Sequence, residues 1–199
     1  MDANKLTKNI ECSLMLLAHT IDDLNKKYSY KSIAEQKYNT YCACNDVLNY
    51  TLYAIKDYLN NGLGIKVQKD IGEIYLRLFG LFQSIYLQQN AIRELYKVHE
   101  IDYTFPIRFA KIRKLSKYIA INPINIDNGR IVTILGKNKF DDNITSIHCY
   151  DNYIFKRIRS NINYRELIIA YLVELEKEII NIANLYARFD KGEDDYEEE

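Results

Sequence analysis

Apolar residues recur every three or four positions along four long stretches of this 199-residue chain. That spacing places them on one side of an α-helix, and each such stripe has to be covered by another helix. The pattern therefore predicts a mainly α fold, an up-down bundle of four long helices at about 3–27, 31–60, 70–99 and 163–189. The last helix has an unbroken alternation of three-residue and four-residue steps: Ile168, Leu172, Leu175, Ile179, Ile182, Tyr186 and Phe189.

The other predicted helices differ in how many of their sides are apolar. The first has one stripe: Leu6, Ile10, Leu14, Leu17, Ile21 and Leu24. The second also has one, and it includes Cys44. The third has two, which predicts that it is the most buried; the second of these stripes is Tyr75, Phe79, Phe82 and Tyr86.

Two segments between the basic residues and the last helix are rich in β-branched residues. Arg130–Leu135 and Ile144–Tyr150 predict a small β-hairpin at about 129–150. We predict a single domain over residues 1–190, followed by an acidic disordered tail at 191–199.

Charge is unevenly distributed along the chain. The last ten residues carry seven acids and one lysine, which leaves residues 1–189 with 26 basic and 20 acidic residues. No leader and no run of about 18 apolar residues is present, so we expect a cytoplasmic protein without a membrane span. The four cysteines lack the spacing of a zinc site, which predicts reduced, mostly buried thiols and no metal or cofactor.

A short basic segment at 107–123 is the first candidate site. It contains no acidic residue and five basic ones: Arg108, Lys111, Arg113, Lys114 and Lys117. Phe109, Ile112, Leu115 or Ser116, and Ile119 follow helical spacing, so one side should face a core and the other should be positive. The helix should end at Asn122-Pro123. The positive side is either a surface that contacts phosphates or an ordinary solvated face.

Two further polar sets are candidates. Lys156, Arg157, Arg159 and Arg165 could extend the basic surface, with Tyr150, Tyr153, Phe155 and Tyr164 interleaved for base stacking or simply packed. The second set falls within the apolar stripes of the third helix, where it either lines a polar site or is the satisfied polar end of a core helix: Gln88, Gln89, Asn90 and Arg93.

The order of these segments resembles the HEPN superfamily of helical bundles. The resemblance rests on Leu-Phe-Gln-Ser-Ile-Tyr-Leu-Gln-Gln-Asn-Ala at 81–91 and on the basic segment that ends at Pro123. It implies metal-independent RNA cleavage by an arginine and a histidine, with two copies of the motif facing each other in a homodimer. In this register Arg113 matches the first arginine of the family, Ser116 stands for the second arginine, Asn122 stands for the histidine, and Asn90 stands for an aspartate.

The catalytic pair that the resemblance implies is therefore absent, and an asparagine amide cannot exchange protons near neutral pH. We predict a catalytically degenerate HEPN-like protein that binds RNA or a protein partner, in a toxin–antitoxin or phage-defence setting. One alternative is an active ribonuclease with a rearranged site, in which Arg113 works with His99, or Lys117 and Asn122 act around the phosphate. Another is an interaction protein that inhibits a nuclease. The competing interpretation of His99 is a solvent-facing residue at a helix C-terminus.

Overall fold

The computed structural model describes residues 2–28, 32–63, 71–117, 119, 131–135, 144–151 and 154–191. For residues 27, 28, 32–36, 71, 131–135, 144–151, 154–162 and 189–191 it describes the backbone alone. This part of the chain is mainly helical, as the apolar periodicity predicts. Its helices are α1 (Ala3–Tyr28), α2 (Ser32–Asn61), α3 (Ile71–Val98), α4 (Ile107–Ser116) and α5 (Tyr164–Lys191).

A three-stranded antiparallel sheet precedes α5. Its strands are β1 (Ile131–Leu135), β2 (Ile144–Asp151) and β3 (Ile154–Asn163), in the order β1-β2-β3. The sequence predicted two strands here, and β3 takes up the segment that carries the second basic set. The loop of the predicted hairpin, residues 136–143, lies outside the described residues.

The chain divides into two compact units. The first contains Met1–Tyr50, Gln88–Thr104 and Leu172–Glu199, and the second contains Thr51–Leu87 and Phe105–Tyr171. Helices α2, α3 and α5 contribute residues to both. The single domain over 1–190 stays a prediction, and so does the tail at 191–199, of which all but Lys191 lies outside the described residues.

The core of the first unit consists largely of the predicted stripes. All six stripe residues of α1 are buried, which confirms the periodicity. The last helix behaves in the same way from Leu172 to Tyr186, while Phe189 lies outside the described side chains. Cys44 is buried, as predicted for the packing face of α2. Cys12 is exposed, so the expectation of mostly buried thiols is wrong there, because this residue lies outside the α1 stripe.

The core of the second unit is built around aromatic residues. Phe82 is fully buried and meets the ring of Tyr164 edge-on, with 5.6 Å between the ring centroids. In the second predicted stripe of α3, Phe82 is buried but Phe79 is 38% exposed, so that stripe is buried only in part. The other stripe, at Ile74, Leu78, Leu81 and Ile85, is buried and confirms that half of the prediction.

Local hydrogen bonds explain where several helices begin and end. The side-chain oxygen of Asn163 accepts a hydrogen bond from the backbone N–H of Glu166 at 3.2 Å, and this bond caps the start of α5. Gly62 has a φ of 64° and donates its N–H to the carbonyl of Tyr58 at 2.7 Å. This left-handed residue ends α2 at the predicted place.

The end of α3 uses a left-handed residue that is not a glycine. Glu100 has a φ of 59° and donates its N–H to Lys97, while the N–H of Ile101 reaches the carbonyl of Tyr96 at 3.2 Å. This pair of bonds forms a Schellman motif, in which glycine is the favoured residue at the left-handed position. Glu100 therefore holds a backbone conformation that its Cβ disfavours.

Replacing Glu100 with glycine is expected to raise the free energy of unfolding by about 1 kcal/mol, since it relieves that steric cost. The matched control is Glu94→Gly, in the interior of the same helix, which should lower stability by about 1 kcal/mol. Urea unfolding followed by circular dichroism measures both. A loss of stability in Glu100→Gly would contradict the assignment of this helix end.

Candidate functional site

Helix α4 is the candidate site, and its orientation is set by a buried side. Phe109, Ile112 and Ser116 are buried, and Ile119 beyond the helix is buried as well. The ring of Phe109 packs against Tyr171, with 5.0 Å between the ring centroids. The prediction that one side of the segment faces a core is confirmed.

The opposite side of α4 is exposed and positively charged. Lys111, Lys114 and Lys117 follow one another every three residues, and all three are exposed, as is Arg108. Residues three apart on a helix are neighbours on its surface. We call these four residues the basic face: Arg108, Lys111, Lys114 and Lys117.

Arg113 lies beside the basic face in a different environment. Its guanidinium carbon is 4.2 Å from the centre of the Tyr86 ring and 4.8 Å from that of Phe105. These cation–π contacts hold the side chain in one place, and it is only partly exposed. Sequence reasoning missed this arrangement, because nothing in the spacing of residues 86, 105 and 113 signals it.

Ser116 is fully buried, and its hydroxyl donates a hydrogen bond to the carbonyl of Ile112 at 3.0 Å. The sequence left Leu115 and Ser116 as alternatives for the packing position, and the structure assigns it to Ser116, with Leu115 half-buried. In the register of the HEPN resemblance this position corresponds to the second arginine, so here it faces the core. Asn122 and Pro123 lie outside the described residues.

The polar set on α3 is split between the core and the surface. Gln88 and Gln89 are fully buried, and the amide nitrogen of Gln88 donates to the carbonyl of Leu48 at 3.4 Å. Asn90 is half-buried, and Arg93 is exposed and lies 3.8 Å from Glu94. This placement favours the interpretation of Gln88 as a satisfied core amide over a lining residue of an open site.

His99 is only partly exposed and packs against two tyrosines, whereas the simpler interpretation of it was a solvent-facing residue. Its ring stacks on Tyr41 with 5.6 Å between centroids, lies 4.4 Å from the centroid of Tyr186, and has its Nε2 atom 2.8 Å from the Tyr41 hydroxyl. Burial, and to a smaller extent the charge of Lys37, lower its pKa to about 4. The ring is therefore neutral at pH 7 and is not a cation at a helix end.

His99 and Arg113, which the sequence paired in one alternative, belong to different units. His99 is in the first and Arg113 is in the second. The described contacts of Arg113 are with aromatic rings, and those of His99 are with tyrosines. Each residue has a packing role of its own within its unit.

A buried acid in the first unit was not anticipated from the sequence. Glu178 is buried on α5, and the hydroxyl of Tyr96 donates to one of its carboxylate oxygens at 3.0 Å. Burial raises the pKa of Glu178, and the hydrogen bond from Tyr96 partly opposes this effect. Tyr96 in turn stacks on Tyr103 with 4.4 Å between ring centroids. The helical position of Glu178 next to Ile179 gave no signal that its side chain turns inward.

The second basic set is described only in part. Lys156, Arg157 and Arg159 lie in β3, for which the structure describes the backbone up to residue 162. In the strand register Arg159 is paired with His148 of β2. The guanidinium of Arg165 donates to the carbonyl of Leu59 at 2.7 Å, so this residue is engaged with the end of α2. Tyr164 is fully buried against Phe82, which excludes it as a surface for stacking bases.

Among the described side chains, no three histidine, cysteine or acidic residues lie close enough together to hold a metal ion. None of the described helices is long and apolar enough to cross a membrane. Comparison with known proteins gives no match, since no family model, curated protein or solved structure is significantly similar to the chain.

Proposed function

We propose that this protein is a degenerate HEPN-like helical bundle that binds single-stranded RNA through the basic face of α4. The observation that carries the proposal is the row of exposed lysines, Lys111, Lys114 and Lys117, which with the exposed Arg108 follows a helix anchored by Phe109 and Ile112. Because the buried side holds the helix backbone in place, its cations can contact phosphates with little further loss of backbone freedom.

The chemistry of the face favours phosphate contact without base recognition. Lysine is a flexible point charge, whereas base edges are read by planar groups such as arginine or amides that make two hydrogen bonds. The nearest arginine with a fixed orientation, Arg113, is held over Tyr86 and Phe105. Binding should therefore depend weakly on RNA sequence and strongly on salt.

The proposed architecture is the up-down bundle predicted from the sequence, with β1 and β2 as the hairpin. It is supported by the buried stripes of α1, α2, α3 and α5 and by the antiparallel register of the strands. A toxin–antitoxin or phage-defence setting, with the protein as a homodimer in the cytoplasm, completes the proposal. The resemblance to the HEPN superfamily is what motivates that setting.

Replacing Lys111 and Lys114 together with glutamine is expected to weaken RNA binding roughly 10- to 30-fold at 0.1 M salt. Each lost contact with a single strand removes about 0.7 from the slope of log K against log salt, which corresponds to about fivefold at that concentration. Fluorescence anisotropy with a labelled 20-nucleotide RNA, titrated at several salt concentrations, measures the affinity and the slope.

The matched control is Lys97→Gln with Lys177→Gln, which removes the same charge from two other exposed positions. It should change the affinity less than threefold, because neither lysine belongs to the basic face and each already pairs with a glutamate of its own helix, Glu94 or Glu174. Equal weakening by both double variants, or binding that does not respond to salt, would sink the proposal.

The same samples separate the alternative functions. RNA that is cut in the presence of EDTA, and that stays intact with an Arg113→Ala variant, would indicate the metal-independent ribonuclease. Absence of RNA binding together with a basic-face-dependent complex with a purified nuclease would indicate the inhibitor. Intact RNA with salt-dependent binding is the result that we expect.

A further inference from the structure

Helix α1 carries an apolar patch on its outward side. Met15 and Leu16 are 71% and 52% exposed, and the exposed residues Cys12 and His19 lie one turn away on either side. The buried stripe of α1 is complete without them. We call these four residues the α1 patch: Cys12, Met15, Leu16 and His19. Two large apolar side chains exposed at neighbouring positions favour an interaction surface here, although each alone would be ordinary.

Charges of opposite sign flank the α1 patch. Lys5 and Lys8 precede it and are exposed, and Asp22 and Asp23 follow it and are exposed as well. The outward side of α1 is therefore positive before the patch, while after it the two acids outnumber the exposed Lys26, which pairs with Asp23 at 2.9 Å. A partner helix that matches this surface needs a negative end beside Lys8 and a positive end beside Asp23.

A second copy of α1 running in the opposite direction meets this requirement. With a two-fold axis between Met15 and Leu16, Met15 faces Leu16 of the partner subunit and Lys8 faces the partner subunit's Asp23. Each such pair forms twice, because the contact is the same on both copies. A parallel copy would instead place Lys8 beside the partner subunit's Lys8.

We propose that two copies of this protein form an antiparallel homodimer through the α1 patch, with Lys8 and Asp23 as its charged ends. This contact gives a specific interface to the homodimer of the proposed function and rests on it in that respect, but its residues are not those of the basic face and it does not depend on RNA binding. Lys5 would lie beside Lys26 of the partner subunit. Within each chain the charge of Lys26 is compensated by Asp23, whose carboxylate lies 2.9 Å from the Lys26 ammonium. The complementary charges set the direction of pairing, and the apolar centre provides most of the affinity.

The interface is small, which sets the expected affinity. Lys8 and Asp23 are about 22 Å apart along the helix axis, and the apolar part covers only the middle of that length. A standard stable interface buries about 1,600 Å², which exceeds what one pair of helices provides. We therefore expect a dissociation constant of about 1–100 μM.

Sedimentation equilibrium of the full-length protein between 1 and 300 μM tests the charged ends. Lys8→Glu and Asp23→Lys should each weaken the dimer about tenfold, because each replaces two attractive pairs with two repulsive ones. The double variant Lys8→Glu with Asp23→Lys should recover most of the lost affinity. Lys177→Glu, the same charge change on α5, is the control and should leave the dimer unchanged.

Disulfide cross-linking tests the geometry. In the antiparallel register the two copies of Met15→Cys face each other with an offset of only about 1.5 Å along the helix axis. Mild oxidation should therefore join them in a covalent dimer. Lys26→Cys, about 31 Å from its copy, and the native Cys12, about 10 Å from its copy, should not cross-link.

Three results would overturn the proposal. One is a wild-type protein that stays monomeric at 300 μM. Another is a dimer that persists unchanged in Met15→Asp, provided that its thermal unfolding matches the wild type. The third is efficient cross-linking through Cys12 in the wild type, which would indicate parallel helices. RNA binding measured by anisotropy stays interpretable in each case, so the two proposals can fail separately.

Discussion

Phe109→Ala is expected to lower the free energy of unfolding by about 3–5 kcal/mol. Phe109 is fully buried on the inner side of α4, where its ring lies 5.0 Å from that of Tyr171 and 6.4 Å from that of Phe105. Removing the Phe109 ring loses the free energy gained by burying it. It also leaves a cavity beside the rings of Tyr171 and Phe105.

Ile107→Ala is the matched control for this variant. Ile107 is two residues away on the same helix but is 75% exposed, so its truncation should change stability by less than 0.5 kcal/mol, on the order expected for surface sites. Urea unfolding measured by circular dichroism gives both values. A small effect of Phe109→Ala, comparable to that of Ile107→Ala, would contradict the placement of α4 against this core.

Acidification is expected to destabilise the protein through His99. The unfolded chain binds a proton at this residue near pH 6.5, whereas the folded chain does so only near pH 4. The unfolded state therefore holds more protons between these values, and stability falls as pH is lowered from about 6.5 to 4. Because the ring is partly open to water, we expect the loss to be roughly 1–2 kcal/mol, less than the full shift implies.

Comparison with His99→Phe isolates this contribution. Phenylalanine keeps a ring beside Tyr41 and Tyr186 but does not titrate, so the stability advantage of the wild type should shrink as pH falls from 7 to 4. Glu178, whose pKa is raised, acts in the opposite direction in both proteins and cancels in the difference. A difference that stays constant with pH, or an imidazole pKa near 6.5 by NMR, would refute the packing assigned to His99.

The helices were predictable because their signal is periodic and local. Every predicted stripe residue of α1, and of α5 up to Tyr186, is buried, and the caps at Asn163 and Gly62 have side-chain or backbone chemistry that is specific to helix ends. The left-handed Glu100 gave no such signal, since glutamate is not a typical residue for that conformation.

The candidate site was predictable only where it depends on the helical period. The alternation within α4 separates Lys111 and Lys114 from Phe109 and Ile112 correctly. The stacking of Arg113, the inward Glu178 and the tyrosine contacts of His99 arise from neighbours distant in sequence. No spacing rule within one helix encodes them, and the placement of Ser116 rather than Leu115 depended on the packing of the whole unit.

The burial of Ser116 limits which side chains its position on α4 can hold. An arginine there would bury a guanidinium on the side of the helix that holds Phe109 and Ile112, at a cost on the order of several kcal/mol. Because the register of the HEPN resemblance puts an arginine at this position, a Ser116→Arg substitution would supply that side chain only at the expense of the core that holds α4.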